Sequence, residues 1–276
     1  MGDALNPVAE GRRLRVAVIG RGAIASYVLD AIGGDAALNV VAQILRPGTR
    51  EACPPGVDAV IATDDLGSLP VRPDLVVDCA GHDALRLFGA QALSAGIDLV
   101  SISVGALAES GLAETLEAAG RAGGGRLRLA SGAIGAMDAL AAAAVGGLDT
   151  VSYTGTKPPG GWRGSPAEEA LDLGALTAPA VHFDGTAREA ALRYPKNANV
   201  AAMIALAGIG MDATRVTLVA DPAAKANVHE IEAAGAFGRM RFTVEGQALA
   251  GNPRSSALAA MSVVHAIRRE AAPIAV

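Results

Sequence analysis

The side chains able to do proton chemistry in this chain are few. There are 4 histidines and 2 cysteines among 276 residues. His229 lies in Asn227-Val228-His229-Glu230-Ile231, where strand alternation puts the imidazole on one face with Ile231 and opposite Glu230 and Glu232. An unperturbed imidazole titrates at about pH 6.5 and can serve as base and then as acid. A single strand histidine is more often structural, so the run alone leaves both readings open. His82 follows Cys79-Ala80-Gly81 at the end of an apolar run; it reads as a neighbour of substrate or as the cap of a helix beginning at Asp83. His182 and His265 have no such neighbours and read as structural. Lys157, before Pro158-Pro159, and Lys196, in Tyr194-Pro195-Lys196-Asn197-Ala198-Asn199-Val200, are the cations placed to hold a carboxylate substrate. Cys53 and Cys79 have neither metal-ligand spacing nor a disulfide framework, so no metal is expected. Asp64-Asp65 reads as a turn and Glu168-Glu169 as the start of a short helix.

A second signal is Gly20-Arg21-Gly22-Ala23-Ile24-Ala25, a G-x-G-x-x-A loop between an apolar strand and an amphipathic helix. Gly20 permits the tight turn, Gly22 leaves the backbone open to a pyrophosphate, and Ala25 lets the helix pack closely. The amides at Gly22, Ala23 and Ile24 then face the anion. The context predicts a nicotinamide dinucleotide, NAD or NADP, with Ala80 at the end of a neighbouring strand counted among its contacts. NAD sites usually carry a carboxylate at the end of the second strand, about 20 residues on. Here that strand ends Gln43-Ile44-Leu45-Arg46. Arg46 reads either as the partner of a 2′-phosphate, which would admit NADP, or as an exposed residue before a turn.

The elements that must position these groups alternate. Strands are expected at 14–19, 39–45, 57–62, 75–79, 99–104 and 126–130, with helices at 24–32, 83–95 and 108–122. Such alternation predicts βαβ units and a parallel sheet. After about residue 133 the pattern changes: a helix at 137–145, a strand at 150–156, helices near 187–193 and 199–206, and strand-like runs at 216–220, 228–233 and 239–244. The last three predict an antiparallel sheet. Asn252-Pro253 reads as an N-cap followed by proline in the first helical turn, opening a final helix to about Arg269 that returns to the first domain. The fold expected is α/β: a Rossmann-type domain of residues 1–132, completed by 253–276, and a smaller α+β substrate and dimerisation domain of residues 133–252.

Bulk composition narrows the class. A 51% hydrophobic content supports a packed core, and a net charge of −5 without a basic stripe argues against nucleic-acid or anionic-membrane partners. The N-terminus lacks a signal-peptide layout, and 139–148 is too short to span a bilayer. A soluble, cytoplasmic protein, paired as a homodimer, is expected.

Taken together, Val76-Val77-Asp78-Cys79-Ala80-Gly81, Ser131-Gly132-Ala133-Ile134-Gly135, Lys196-Asn197-Ala198-Asn199-Val200 and Asn227-Val228-His229-Glu230-Ile231 resemble the L-aspartate dehydrogenase family, in the family's order and over nearly the whole chain. The resemblance implies oxidative deamination of L-aspartate through iminosuccinate to oxaloacetate and ammonia, and a place in NAD biosynthesis. It implies that His229 is catalytic and that Ala133 and Asn199 contact the cofactor; Asn197 and Asn199 also read as helix caps. Leu45 departs from relatives that carry Asp there, which removes the basis for strict NAD preference. Two other readings stand beside it. One is a related two-domain oxidoreductase of the dihydrodipicolinate reductase or homoserine dehydrogenase kind. The other is a dinucleotide-sensing protein without chemistry.

Overall fold

The computed structural model describes residues 13–195, 199–250 and 252–275. The chain forms two compact units. The first holds the chain through Ser101, Glu114–Ala130 and the chain from Val263; the second holds Ile102–Ala113 and Ser131–Ser262.

The first unit begins with β1 (Leu14–Ile19), α1 (Ala23–Ile32), β2 (Leu38–Leu45), β3 (Val60–Ala62), β4 (Leu75–Asp78), α2 (His82–Ser94), β5 (Asp98–Ser101), α3 (Leu112–Gly123) and β6 (Leu127–Leu129). The six strands lie in the order β3-β2-β1-β4-β5-β6, and every pair is parallel. This is the doubly wound order, whose direction reverses between β1 and β4. Parallel strands covered on both faces are apolar throughout, and Val16, Ala17, Val18, Val76, Val77, Leu99 and Val100 are fully buried. In α1, Ala25, Val28, Leu29 and Ile32 form one buried stripe, and Gly33 closes the helix by donating to the Leu29 carbonyl.

Three elements, β3, β5 and α3, are each shorter than their periodicity predicts by two or three residues. β3 starts at Val60, leaving Val57 a lone bridge to Val40, because the turn before it is tied down at Gly56. That glycine has φ +77°, and a Cβ there would sit 2.7 Å from the Gly33 carbonyl oxygen. β5 stops at Ser101; Val104–Ala108 coils into a 3-10 turn that belongs to the second unit, so α3 begins only at Leu112.

The second unit continues with α4 (Met137–Val145), β7 (Leu148–Lys157), α5 (Ala167–Ala170), β8 (Ala180–Thr186), α6 (Ala187–Arg193), α7 (Asn199–Ala207), β9 (Arg215–Ala220), β10 (Asn227–Gly235), β11 (Gly238–Gly246), β12 (Ala248–Leu249), β13 (Asn252–Ser256) and the start of α8 (Ala257–Ala271). Its main sheet is mixed, in the order β11-β10-β7-β9-β8. The expected antiparallel meander of the last three long strands is therefore corrected. Only β10 and β11 form a hairpin, while β7 lies between β10 and β9 and runs parallel to β9. The long β7, with Val151 and Tyr153 buried, has two edges to satisfy, and it takes one strand on each. β8 was not foreseen, because Val181-His182-Phe183-Asp184-Gly185 has no continuous apolar run.

The chain end also differs from expectation. Asn252 and Pro253 lie in β13, antiparallel to β12, and the helix begins at Ala257. The Asn252 amide donates to the Ser255 hydroxyl (3.1 Å) rather than capping a helix. Proline is tolerated at the start of a short edge strand. From Val263 onward α8 belongs to the first unit, as expected: Arg268 bonds Asp35 (3.2 Å) and the Ala31 carbonyl, and Glu270 pairs with Arg128 at 2.8 Å.

Candidate active site

In the first unit the Gly-rich loop leaves β1 at the carboxyl edge of the sheet. Gly20 has φ +118°, and a Cβ on it would lie 3.2 Å from both the Ala80 Cβ and the Cys79 carbonyl oxygen. Only glycine fits there. Its amide donates to the Ile44 carbonyl (2.9 Å), and its own carbonyl accepts from the Gln43 amide (2.8 Å). Gln43 is a buried clamp on this turn that the sequence reading missed. Gly22 is exposed, and nothing lies within 4 Å of where its Cβ would be. It is the N-cap of α1 and offers no side-chain cap, and the first turn has no acidic residue. The amides of Ala23, Ile24 and Ala25 thus open a helix with an uncapped positive end, the local requirement for a pyrophosphate.

The neighbouring edge is built by Asp78. Its fully buried carboxylate accepts from the Ala80 amide (2.9 Å) and from the Ser101 hydroxyl (2.8 Å), fixing the turn Cys79-Ala80-Gly81. Ala80 is exposed on that turn. Burial first and Asp78 second push the Cys79 thiol well up, which disfavours its thiolate. His82 is half-buried and is the first residue of α2, with Gly81 as N-cap; it does not cap a helix starting at Asp83. At the end of β2, Leu45 is buried where a carboxylate would be wanted. Arg46 is exposed, with no ion-pair partner among the described residues. Gly20, Gly22, Ala23, Ile24, Arg46, Ala80 and His82 thus all stand at carboxyl ends of the parallel strands.

In the second unit His229 is 5% exposed on β10, on one face with buried Ile231 and Ala233. Glu230 and Glu232 turn the other way and pair with Arg241. The His229 Nδ1 lies 2.8 Å from the Tyr153 hydroxyl of β7, and the two rings are near parallel at 19°. Burial first, then the charge of Lys157, lowers its pKa to about 4. The imidazole is therefore neutral at pH 7, a base rather than the two-way shuttle expected from an ordinary value. Lys157 closes β7, its ammonium 4.7 Å from the centre of the buried Trp162 ring, and burial lowers it to about 8.

His182 makes a parallel arrangement with a different outcome. Its Nδ1 meets the Tyr194 hydroxyl (3.1 Å) and its ring packs edge-on to Trp162 (4.3 Å), but its Nε2 is sealed without a partner. A sealed nitrogen cannot exchange protons with a ligand. The Nε2 of His229 is not sealed in this way. Tyr153, Trp162 and Tyr194 were all missed in the sequence. The signal for Tyr153 was Gly155: a glycine inside a strand marks close approach of another group.

Ala133 is buried in the loop before α4, where Gly132 and Gly135 have positive φ and Ala136 does too, at 54°, alone among described non-glycine residues. A left-handed alanine costs on the order of 1 kcal/mol, so this loop is held in shape by its surroundings. The Gly132 amide donates to the Ser262 hydroxyl (3.0 Å). Asn199, first residue of α7, accepts from the Gly105 amide (2.9 Å) and so anchors the 3-10 turn. Lys196 and Asn197 lie outside the described residues.

A doubly wound sheet with an uncapped glycine loop, and a second unit carrying a buried neutral histidine, define a nicotinamide-dependent oxidoreductase. Comparison with known proteins narrows the class. Residues 138–270 match the family model described as "Aspartate dehydrogenase, C-terminal", and residues 20–130 match "Homoserine dehydrogenase, NAD binding domain". The chain is 56% identical to the L-aspartate dehydrogenase of Ruegeria pomeroyi, covering 96% of this chain and 95% of that one, and 49% identical to that of Ralstonia nicotianae, covering 95% and 100%. The crystal structure of aspartate dehydrogenase from Thermotoga maritima superposes with a TM-score of 0.76 at 26% identity, over 96% of this chain and all of that one. This chain belongs to the aspartate dehydrogenase family, with NAD or NADP as cofactor.

Proposed function

We propose that the protein oxidises L-aspartate with NAD or NADP, giving iminosuccinate and then, with water, oxaloacetate and ammonia, and that His229 is its base. The single observation that carries the catalytic assignment is a buried imidazole, neutral at working pH, with one nitrogen held and the other not sealed. When bound, the nicotinamide supplies the hydride acceptor. Gly20, Gly22, Ala23, Ile24 and Ala80 would hold the dinucleotide at the β1–β4 switch; the resemblance also assigns Ala133 and Asn199 to the cofactor. His229 takes a proton at Nε2, first from the substrate ammonium, whose neutral amine is needed before hydride can leave the α-carbon. After giving that proton to solvent, it takes one from the water that adds to the imine carbon and returns it to the nitrogen that leaves as ammonia. Lys157 holds a substrate carboxylate, and Lys196 and His82 are the other residues assigned to the substrate.

Arg46, exposed and without an ion-pair partner among the described residues, supports acceptance of NADP. The two unpaired cysteines suit a reducing cytoplasm. The exposed edge strand β11, with Phe242 on it and exposed Phe237 in the turn before it, supports pairing of two copies; sedimentation equilibrium at the monomer mass would overturn this.

The assay mixes protein, oxaloacetate, ammonia and NADH or NADPH. Oxidation of the nucleotide should require both co-substrates. His229→Ala should cut turnover by about 10²–10⁴-fold while nucleotide affinity stays near wild type. Near-normal turnover in that variant rules His229 out as the base.

A further inference from the structure

The ladder between β7 and β10 puts Gly155 directly opposite His229. Tyr153, two residues earlier on the same face, is 3% exposed, and its phenol reaches along the strand over Gly155 to the imidazole. A Cβ at Gly155 would lie 2.5 Å from the Tyr153 hydroxyl oxygen and 3.0 Å from Cζ. Any other residue at 155 would occupy the place of the hydroxyl that meets Nδ1. The glycine is not there for backbone freedom, because it is not at positive φ. It leaves the volume through which phenol and imidazole touch.

We propose that Tyr153, given room by Gly155, is the positioning residue of His229: it accepts the Nδ1–H, fixes the ring plane and leaves Nε2 as the only nitrogen that exchanges protons with substrate. This rests on the reading of His229 as the base. The bond suits both protonation states, since a base that takes a proton at Nε2 keeps Nδ1–H on the phenol oxygen throughout. Burial pushes the Tyr153 phenol far up, so the phenol stays neutral and does not compete for that proton. A neutral acceptor also lends the imidazolium less support than a carboxylate would. That agrees with a base that releases its proton readily; the charged group acting on it is Lys157, on the same face of β7. Without the hydroxyl the ring is free to take either tautomer, and the Nε2–H form cannot accept the substrate proton at Nε2.

Tyr153→Phe keeps the ring stack and removes only the hydroxyl. In ¹⁵N-labelled protein at pH 7 the His229 signals, identified by their loss in His229→Ala, should report Nδ1–H in wild type and mixed tautomers in Tyr153→Phe. The same variant should lose about ten-fold in kcat, a part of the whole base contribution, with KM within about two-fold. Gly155→Ala should reproduce both changes by displacing the phenol. An unchanged His229 tautomer signature in Tyr153→Phe overturns the proposal, whatever the rate. Normal turnover in His229→Ala would instead overturn the base assignment, and the tautomer signature would still decide whether Tyr153 sets the ring.

Discussion

At the scale of single residues, environment decides what each ionisable group can do. His229 and Lys157 face the same side of the sheet, and the charge of Lys157 adds to the lowering of His229. The imidazole is lowered to about 4 and the ammonium to about 8, in both cases chiefly because burial disfavours the charged form. A base with a lowered pKa is active above that value. The acid limb of kcat/KM should therefore fall near pH 4, well below the 6.5 of a free imidazole. Lys157 is charged below about 8, so the KM for aspartate should rise as pH passes that value. Lys157→Met should raise KM by about ten-fold or more, the loss of one charge-assisted hydrogen bond. It should also move the acid limb part of the way upward, because a repelling charge is gone. A profile with its acid limb unmoved in that variant would show that the two groups do not feel each other.

At the scale of elements, the nucleotide cradle is a strand, a turn and a helix whose parts have separate duties. Gly20 is confined by the Ala80 turn, and Gly22 by none of the described residues. Gly22→Val therefore leaves the fold intact and fills only the space above the α1 amides. It should abolish nucleotide binding with little change in the unfolding midpoint. Arg46 belongs to the end of β2, and Arg46→Ala should weaken NADP by about ten-fold, the loss of a charged hydrogen bond, with NAD unaffected. Titration of both nucleotides into wild type and variant measures this; equal affinities for NADP would remove Arg46 from the site.

At the scale of the whole molecule, buried imidazoles tie stability to pH. His229 and His182 both have folded values of about 4 against 6.5 for the free group. Between those values the unfolded chain binds more protons than the folded one, so stability rises with pH across the window and is lost as pH falls from 6.5 toward 4. Thermal midpoints measured in that window should drop with acidification. His182→Gln, which does not titrate, should flatten the decline without stopping turnover, because His182 is sealed. A midpoint independent of pH there would mean that neither imidazole is buried neutral.

Much of this was legible along the chain because it is local. The glycine loop, the buried stripe of α1 and the apolar parallel strands depend on residues a few positions apart, whose periodicity declares strand or helix. His229 could be placed on the buried face of its strand for the same reason. The mixed order of the second sheet, the Gln43 clamp and the tyrosine partners of His182 and His229 were not legible. Each depends on which distant segment lies alongside: Tyr153 and His229 are separated by 76 positions and meet only because β7 enters the sheet beside β10. Residue types fixed what chemistry was available, and strand pairing decided which imidazole is free to perform it.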